Sequence, residues 1–242
     1  MNGNSEKLIV ALDFDNFSDA AAVVEQVHDV VGMFKVGMEL FYSEGSKVLD
    51  FIHQKGSKVF LDLKLHDIPN TVAKAVRVLT RCGAAIIDVH ISGGKEMVKK
   101  AVEAAKEEAY RLNIDPPFVV GVTVLTSLTE EMLRSEVGIN ETPEETVLRW
   151  TKMGLESGLD GVVASAKEAS AITRECSCGL IITPGIRPAW AAENDQKRVL
   201  TPREAVEAGA THLVVGRPIT QSSDPRSAVL RILEELEGLT EK

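Results

Sequence analysis

The sequence predicts an α/β fold, a single (β/α)8 barrel of the TIM type, and two observations support that prediction. Eight short, strongly apolar runs rich in β-branched residues occur along the chain, and eight segments at helical spacing alternate with them. Eight such units in about 250 residues are the size of a closed (β/α)8 barrel. We therefore expect one domain over residues 1–242, because no linker or low-complexity segment interrupts the pattern.

Each apolar run is a predicted strand that is buried on both faces. Parallel strands covered by helices are almost continuously hydrophobic, as these runs are. The predicted strands are Leu8–Phe14, Met33–Gly37, Lys58–Lys64, Ala85–His90, Phe118–Leu125, Gly161–Ser165, Leu180–Pro184 and His212–Gly216.

The segments between the strands change to a period of about 3.6 residues, which is typical of helices with one apolar face. A cap residue followed by proline predicts helix starts at Thr142-Pro143, Thr201-Pro202 and Asp224-Pro225. The residues that show the helical spacing in the first and last helices are Ala20, Val23, Val24 and Val27, then Val229, Ile232, Leu233 and Leu236.

The competing architecture is an open, doubly wound sheet. Such a sheet usually has a glycine-rich turn after its first strand. Here the first run is followed by Asp15-Asn16-Phe17-Ser18, which contains no glycine. The closed barrel is therefore preferred.

Composition excludes several classes of function. The formal net charge is −9 and no run of Lys or Arg stands out, so we expect no nucleic-acid partner. The longest uncharged stretch, Pro116–Thr129, is shorter than the roughly 20 apolar residues of a membrane span, so we expect no membrane association. The N-terminus shows no basic start followed by an apolar segment, which favours a cytoplasmic location.

The three cysteines predict neither a disulfide framework nor a metal site. Three cysteines in 242 residues are too few for a disulfide scaffold. Cys176-Ser-Cys178 could be half of a metal site, but no second cluster completes it. We expect Cys82, Cys176 and Cys178 to be free thiols.

Charged residues interrupt or follow several apolar runs, where a barrel of this type has its active site. Asp62 and Lys64 lie two residues apart, so on a regular strand their side chains point to the same face. Asp67 follows on the loop, and Lys35 interrupts the neighbouring run. We expect an alternating array of two acids and two bases in which two carboxylates bracket Lys64.

Such an array has a structural and a catalytic interpretation. The structural one is a network of ion pairs at the barrel rim, but burying ions adds little stability over an apolar core. In the catalytic one, an ammonium between carboxylates stays protonated and can protonate a carbanion that forms beside it. A fixed carboxylate also repels an anionic group of the substrate and favours its departure as a neutral molecule. Loss of carbon dioxide, with protonation of the carbon left behind, fits both properties.

The loops after the seventh and eighth strands predict a phosphate site, as is usual in these barrels. Gly216 lets a ligand approach the backbone, and Arg217 can donate two parallel hydrogen bonds to a phosphate. The segment 184–201 has poor helical periodicity and the length of a lid. Within it, Arg187 and Gln196 could fold over the anion.

The remaining polar residues predict no metal site. His66 and His90 lie near the array, but no His-x-x-x-His spacing or acidic cluster accompanies them, so we expect structural roles. No serine lies in the Gly-x-Ser-x-Gly pattern of a hydrolase nucleophile. Trp190 is expected to be a packing anchor.

The stretch Val59–Val72, VFLDLKLHDIPNTV, resembles the signature of the orotidine 5′-phosphate decarboxylase family. The resemblance covers nearly the whole chain and implies a barrel that converts orotidine 5′-phosphate to UMP and carbon dioxide in de novo pyrimidine synthesis. It also implies that neither a metal nor an organic cofactor takes part. Six further segments stand in the order that the family uses: LDFD (12–15), FKVGMEL (34–40), TVLTS (123–127), TPGIRP (183–188), NDQKRV (194–199) and VVGRPI (214–219).

The resemblance also implies roles for the charged array. Lys64 is the implied proton donor to C6 of the pyrimidine, Asp62 lies beside the departing carboxylate, and Lys35 completes the charged chain. Asp67 and Thr71 are implied to reach the site of the partner subunit in a homodimer, so that each site needs two subunits.

The resemblance also implies which residues contact the ribose, the pyrimidine and the phosphate of the substrate. Asp13 and Lys35 resemble contacts to the ribose hydroxyls, and Thr126 and Pro184 resemble neighbours of the pyrimidine. The implied phosphate contacts are Arg187, Gln196, Gly216 and Arg217.

Two other functions stay open. A magnesium-dependent decarboxylase or aldolase acting on a sugar phosphate shares the Asp-x-Lys-x-x-Asp core, but an acidic metal ligand is expected on its second strand, where this chain has Lys35. A non-catalytic nucleotide-binding barrel is the alternative of another class, but it would be free to lose members of the array, all of which are present.

Overall fold

The computed structural model describes residues 3–191 and 200–237, and its eight parallel strands form a closed barrel in sequence order. Strand β8 pairs with β1 to close it. Each predicted run contains one strand, so the predicted fold class is confirmed. The strands are β1 Leu8–Leu12, β2 Met33–Gly37, β3 Lys58–Leu65, β4 Ile86–His90, β5 Phe118–Val122, β6 Gly161–Val163, β7 Leu180–Thr183 and β8 His212–Val215.

Twelve α-helices occur in the described residues, more than the eight helical segments that the sequence predicts. The additional helices are short and belong to the connections before β1, after β2, after β5 and after β8. The helices are α1 Gly3–Lys7, α2 Phe17–Val27, α3 Met38–Glu44, α4 Lys47–Gln54, α5 Pro69–Arg81, α6 Lys95–Leu112, α7 Glu130–Ser135, α8 Pro143–Glu156, α9 Ala166–Glu175, α10 Pro202–Glu207, α11 Arg217–Thr220 and α12 Pro225–Glu235.

The predicted helix starts are confirmed in atomic detail. The Thr142 side chain accepts from the backbone N–H of Glu145, and the Glu145 carboxylate accepts from that of Thr142. The same reciprocal capping begins α10 at Thr201, and the Asp224 side chain caps α12. Each cap satisfies backbone N–H groups that would otherwise lack a partner.

Apolar side chains form two separate cores. The larger one lies between the barrel and its helices and contains the predicted apolar face of α2. The smaller one fills the lumen with residues from seven of the strands: Ile9, Ala11, Met33, Phe60, Ile86, Val120, Ile182 and Val214. Side chains that alternate along each strand divide between these cores, so positions beyond the lumen core on the same face point into the barrel mouth.

The opposite end of the barrel is covered by α1. Gly32, just before β2, allows this packing, because a Cβ atom there would lie 2.7 Å from the Glu6 Cα atom. No helix among the residues described is both long and apolar enough to span a membrane.

Two smaller expectations are also confirmed. Trp190 packs against the outer core, and the Arg231 guanidinium lies 4.2 Å from its ring centroid, as expected of a packing anchor. Cys82, Cys176 and Cys178 are free, partly buried thiols.

Candidate active site

The charged residues of the candidate site face the lumen directly above its apolar core. Because side chains alternate along a strand, a residue two positions after a lumen residue also faces the lumen. Four charged residues stand in this relation to Ala11, Met33, Phe60 and Ile86. They are Asp13, Lys35, Asp62 and Asp88.

Lys35 is the central cation of this layer. Its Nζ atom lies 3.0 Å from Asp13 Oδ1 and 3.2 Å from Asp62 Oδ2, and the residue is only 9% exposed. Gly37 leaves room for the ammonium, since a Cβ atom there would lie 3.2 Å from Lys35 Nζ. Burial alone would lower the pKa of Lys35, but the Asp62 and Asp13 carboxylates raise it above its ordinary value.

Asp62 is paired with two ammonium groups, because its Oδ1 atom accepts from Lys64 Nζ while its Oδ2 atom faces Lys35. Burial alone would raise the pKa of Asp62, but the Lys35 ammonium, the neighbouring Asp88 side chain and the Lys64 ammonium lower it below its ordinary value. The contact between Asp62 and Lys64 that the sequence predicts is therefore present.

The backbone between Asp62 and Lys64 departs from the geometry of a regular strand. Leu61 pairs with Ile87 and Leu65 with Val89, so the ladder between β3 and β4 shifts over residues 62–64. Lys64 itself has φ +48°, in the left-handed region that non-glycine residues rarely adopt. The lysine thus reaches Asp62 from a bulge.

Asp67 does not bracket Lys64 within the chain, so that part of the predicted array is wrong for a single subunit. Asp67 is exposed, and its Oδ1 atom accepts from the backbone N–H of Ile68 at 2.6 Å. Thr71, in the first turn of α5, is also exposed. The reason is that the chain leaves the barrel mouth after β3, which carries both side chains away from the lumen.

Arg187 follows β7 and Arg217 follows β8, and the Arg217 guanidinium lies near that of Arg187. Burial, followed by the nearby Arg217, lowers the pKa of Arg187 from its ordinary value. Neither arginine forms an ion pair with a described carboxylate. Gly216 lies beside Asp13, with a distance of 3.4 Å from the position of a Cβ atom to Asp13 Oδ2. The end of the barrel that carries the charged layer therefore also offers two cations that no carboxylate of the described residues pairs with.

Comparison with known proteins gives a family. A model of the family described as "Orotidine 5'-phosphate decarboxylase / HUMPS family" matches residues 6–232. The chain belongs to this family. Two curated relatives show how closely it resembles the decarboxylase members. The orotidine 5'-phosphate decarboxylase of Carboxydothermus hydrogenoformans is 50% identical over 236 residues, covering 97% of this chain and 98% of the relative.

A second relative and a solved structure agree with this membership. The orotidine 5'-phosphate decarboxylase of Syntrophomonas wolfei is 47% identical over 234 residues, covering 96% of this chain and 98% of the relative. The crystal structure of the Lactobacillus acidophilus orotidine 5'-phosphate decarboxylase superposes with a TM-score of 0.84 at 39% identity. That match covers 96% of this chain and 99% of the other. The resemblance to the family is therefore confirmed.

The other residues that the family resemblance implies lie around the mouth or outside the described residues. Thr126 follows β5 and is exposed, and Pro184 follows β7 and is half-buried. Gln196 lies outside the described residues, as does the rest of the stretch 192–199 within the predicted lid. The expectation that it contacts phosphate stays a prediction.

His66 and His90 lie together near Lys64. Their ring centroids are 5.3 Å apart. Burial, followed by His66 and Lys64, lowers the pKa of His90 from its ordinary value, which favours a neutral imidazole. The expectation that both have structural roles stays a prediction.

Asp88 is a member of the charged layer that the sequence analysis left out of the site. It is fully buried, and its Oδ1 atom accepts from the backbone N–H of Lys64 at 2.8 Å. The sequence does contain a signal for Asp88, since this aspartate interrupts the apolar run Ile86–His90. An unpaired charge in a buried strand is costly, so its presence there indicates a specific role.

Proposed function

We propose that Lys64 protonates C6 of the pyrimidine as this chain decarboxylates orotidine 5′-phosphate to UMP and carbon dioxide. The observation that carries the assignment is the position of Asp62, whose side chain is only 13% exposed at the barrel mouth and is paired with both Lys35 and Lys64. This reaction is a carbon–carbon lyase step of pyrimidine synthesis.

The array supports each part of the chemical step. Asp62 is held ionised beside the position of the substrate carboxylate, and the repulsion between the two anions favours loss of neutral carbon dioxide. The bond from C6 to the carboxylate breaks and leaves its electron pair on C6. A proton on Lys64 Nζ then moves to C6, and the lysine regains a proton from water.

The surrounding residues are proposed to bind the rest of the substrate. Arg187 and Arg217 bind the phosphate together with the backbone at Gly216. Gln196 contributes a further contact from the segment 184–201. Asp13 and Lys35 contact the ribose hydroxyls, while Thr126 and Pro184 adjoin the pyrimidine. Binding energy from the remote phosphate can then contribute to the rate at C6.

We further propose a homodimer in which Asp67 and Thr71 enter the partner's site. Both residues are exposed and contribute no contact to the Lys64 ammonium of their own chain. Apolar side chains are exposed at the same end of the barrel, with Ile68 at 68% and Tyr42 at 71%. An interface there would cover these side chains and bring Asp67 to a second site.

We propose that residues 1–242 form one catalytic domain. A cytoplasmic location stays a prediction. Independence from metal is also a prediction. It is favoured by the donor set, because the carboxylates of Asp13 and Asp62 are already paired with ammonium groups.

The test is the formation of UMP from orotidine 5′-phosphate by purified protein in the presence of a chelator. The proposal predicts UMP at a rate unchanged by the chelator. Activity that disappears with chelator and returns with magnesium would contradict it and favour sugar-phosphate chemistry. Binding of UMP without any turnover would favour a non-catalytic barrel.

A further inference from the structure

Asp88 is a buried acid for which the proposed proton transfer has no use. It lies on β4, its side chain points into the lumen, and none of its surface is exposed to solvent. A carboxyl group in such a place is costly unless its hydrogen bonds are satisfied. Its role must therefore be sought in what it contacts.

The first contact is with the bulge in β3. Between the pairs Leu61–Ile87 and Leu65–Val89, three residues of β3 lie opposite Asp88 alone. The regular ladder cannot satisfy their backbone groups there, and the Asp88 side chain accepts the N–H of Lys64 at 2.8 Å instead. This bond forms at the residue whose φ is +48°.

The second contact is with the acid of the array. Asp88 Oδ2 meets no hydrogen-bond donor among the described residues. A neutral Asp88 can itself donate a hydrogen bond to the Asp62 carboxylate. Asp88 would then hold the backbone of Lys64 with one oxygen and the side chain of Asp62 with the other.

We propose that Asp88 is a positioning residue for decarboxylation, which holds Lys64 in its left-handed conformation and hydrogen-bonds to Asp62. It touches neither the substrate nor the transferred proton. Instead it fixes the direction from which the Lys64 ammonium reaches the barrel mouth. This inference rests on the proposed role of Lys64.

The surroundings of Asp88 favour its neutral form. The charged groups that face it are both on β3, the Asp62 carboxylate and the Lys64 ammonium, while its register partner on β5 is Val120. Burial, followed by the Asp62 carboxylate, raises the pKa of Asp88 well above its ordinary value. A neutral acid here has one oxygen that accepts and one O–H that donates, and an asparagine amide can supply both contacts with its oxygen and one of its two N–H groups.

That equivalence gives a discriminating pair of variants. Asp88→Asn keeps one acceptor and one donor, so we expect kcat within about threefold of wild type. Asp88→Ala removes both, so the ammonium loses its fixed direction and kcat falls by about a hundredfold. KM should change by less than about threefold in both variants, because the phosphate and ribose contacts lie elsewhere. Asp88→Val, which suits a strand, replaces the alanine variant if that one does not fold.

A matched control exists at the opposite end of the barrel. Asp160 Oδ2 accepts the backbone N–H of Val119 at 2.8 Å, a contact of the same kind as that of Asp88 but at the start of the strands. Asp160→Ala should lower the melting temperature yet leave kcat within about threefold of wild type. A similar kcat loss in Asp160→Ala and Asp88→Ala would overturn the positioning role.

A second readout does not depend on turnover. Hydrogen exchange at the Lys64 amide should stay slow in Asp88→Asn and become at least about tenfold faster in Asp88→Ala. If wild type shows no decarboxylation, the proposed function fails while this measurement still decides whether Asp88 holds Lys64. Equal exchange in the two variants, or an asparagine variant as inactive as the alanine variant, would overturn the inference.

Discussion

Lys64 and Asp62 form an ion pair although the strand between them is irregular. On a regular strand, alternation alone would place the two side chains on one face. Here the β3 ladder shifts and Lys64 has φ +48°, yet its ammonium still donates to the Asp62 carboxylate. The ion pair therefore depends on backbone geometry as well as on sequence spacing, and the predictions below concern the residues that maintain it.

Lys35→Met is expected to lower both stability and activity. Removing the Lys35 ammonium leaves the largely buried Asp62 carboxylate with one cation fewer, and breaking such a largely buried pair costs about 3 kcal/mol. Chemical denaturation measures the change in the free energy of unfolding. The control is Lys95→Met, whose exposed pair with Glu156 should contribute less than about 1 kcal/mol. Equal losses in the two variants would show that Lys35 is no more than a surface cation.

Arg217→Ala is expected to lower kcat/KM for orotidine 5′-phosphate by about a hundredfold while leaving the fold intact, because a charged hydrogen bond to phosphate is lost. Orotidine, which lacks the phosphate, provides the comparison, and its turnover should change little. The exposed Arg174→Ala is a control for the loss of a positive charge. An equal loss of kcat/KM for orotidine 5′-phosphate and for orotidine would place Arg217 outside the phosphate site.

Mixed subunits test the proposed contribution of Asp67. Asp67→Asn and Lys64→Ala should each be inactive as homodimers. When the two are mixed and allowed to exchange, half of the dimers are mixed, and each has one intact site, which gives about a quarter of wild-type activity. Activity that stays at the background level, with exchange verified, would show that Asp67 does not act across the interface.

Asp88→Asn is expected to change how stability depends on pH. The folded state raises the pKa of Asp88, so above about pH 4 it retains a proton that the unfolded chain releases. The free energy of unfolding of wild type should therefore fall as the pH rises towards the pKa of Asp88 in the folded state. The asparagine variant has no titrating group at this position, so its free energy of unfolding should not show this fall. The free energy of unfolding of Asp88→Asn minus that of wild type should increase by up to about 1.4 kcal/mol per pH unit in that window. A difference that is constant from pH 4 to 8 would mean that Asp88 is ionised in the fold.

Periodicity predicted the barrel because buried parallel strands and amphipathic helices have distinct patterns, and all eight runs contain strands. The same reasoning placed Lys35, Asp62 and Lys64 together, since neighbouring strands end at the same mouth. It missed the relation between Asp88 and the Lys64 backbone, because a register shift depends on how two strands pair and not on the composition of either. It also placed Asp67 beside Lys64, although the direction in which the chain leaves β3 is not encoded in spacing.

The central claim is that Lys64 supplies the proton in a decarboxylation that needs no metal. The most direct measurement is the loss of orotidine 5′-phosphate absorbance with chelator present, for wild type and for Lys64→Ala. We predict rapid loss with wild type and a rate at least about a thousandfold lower with the variant, since a general acid is removed from the charged array. Comparable rates for the two proteins, or no loss with either, would contradict the account.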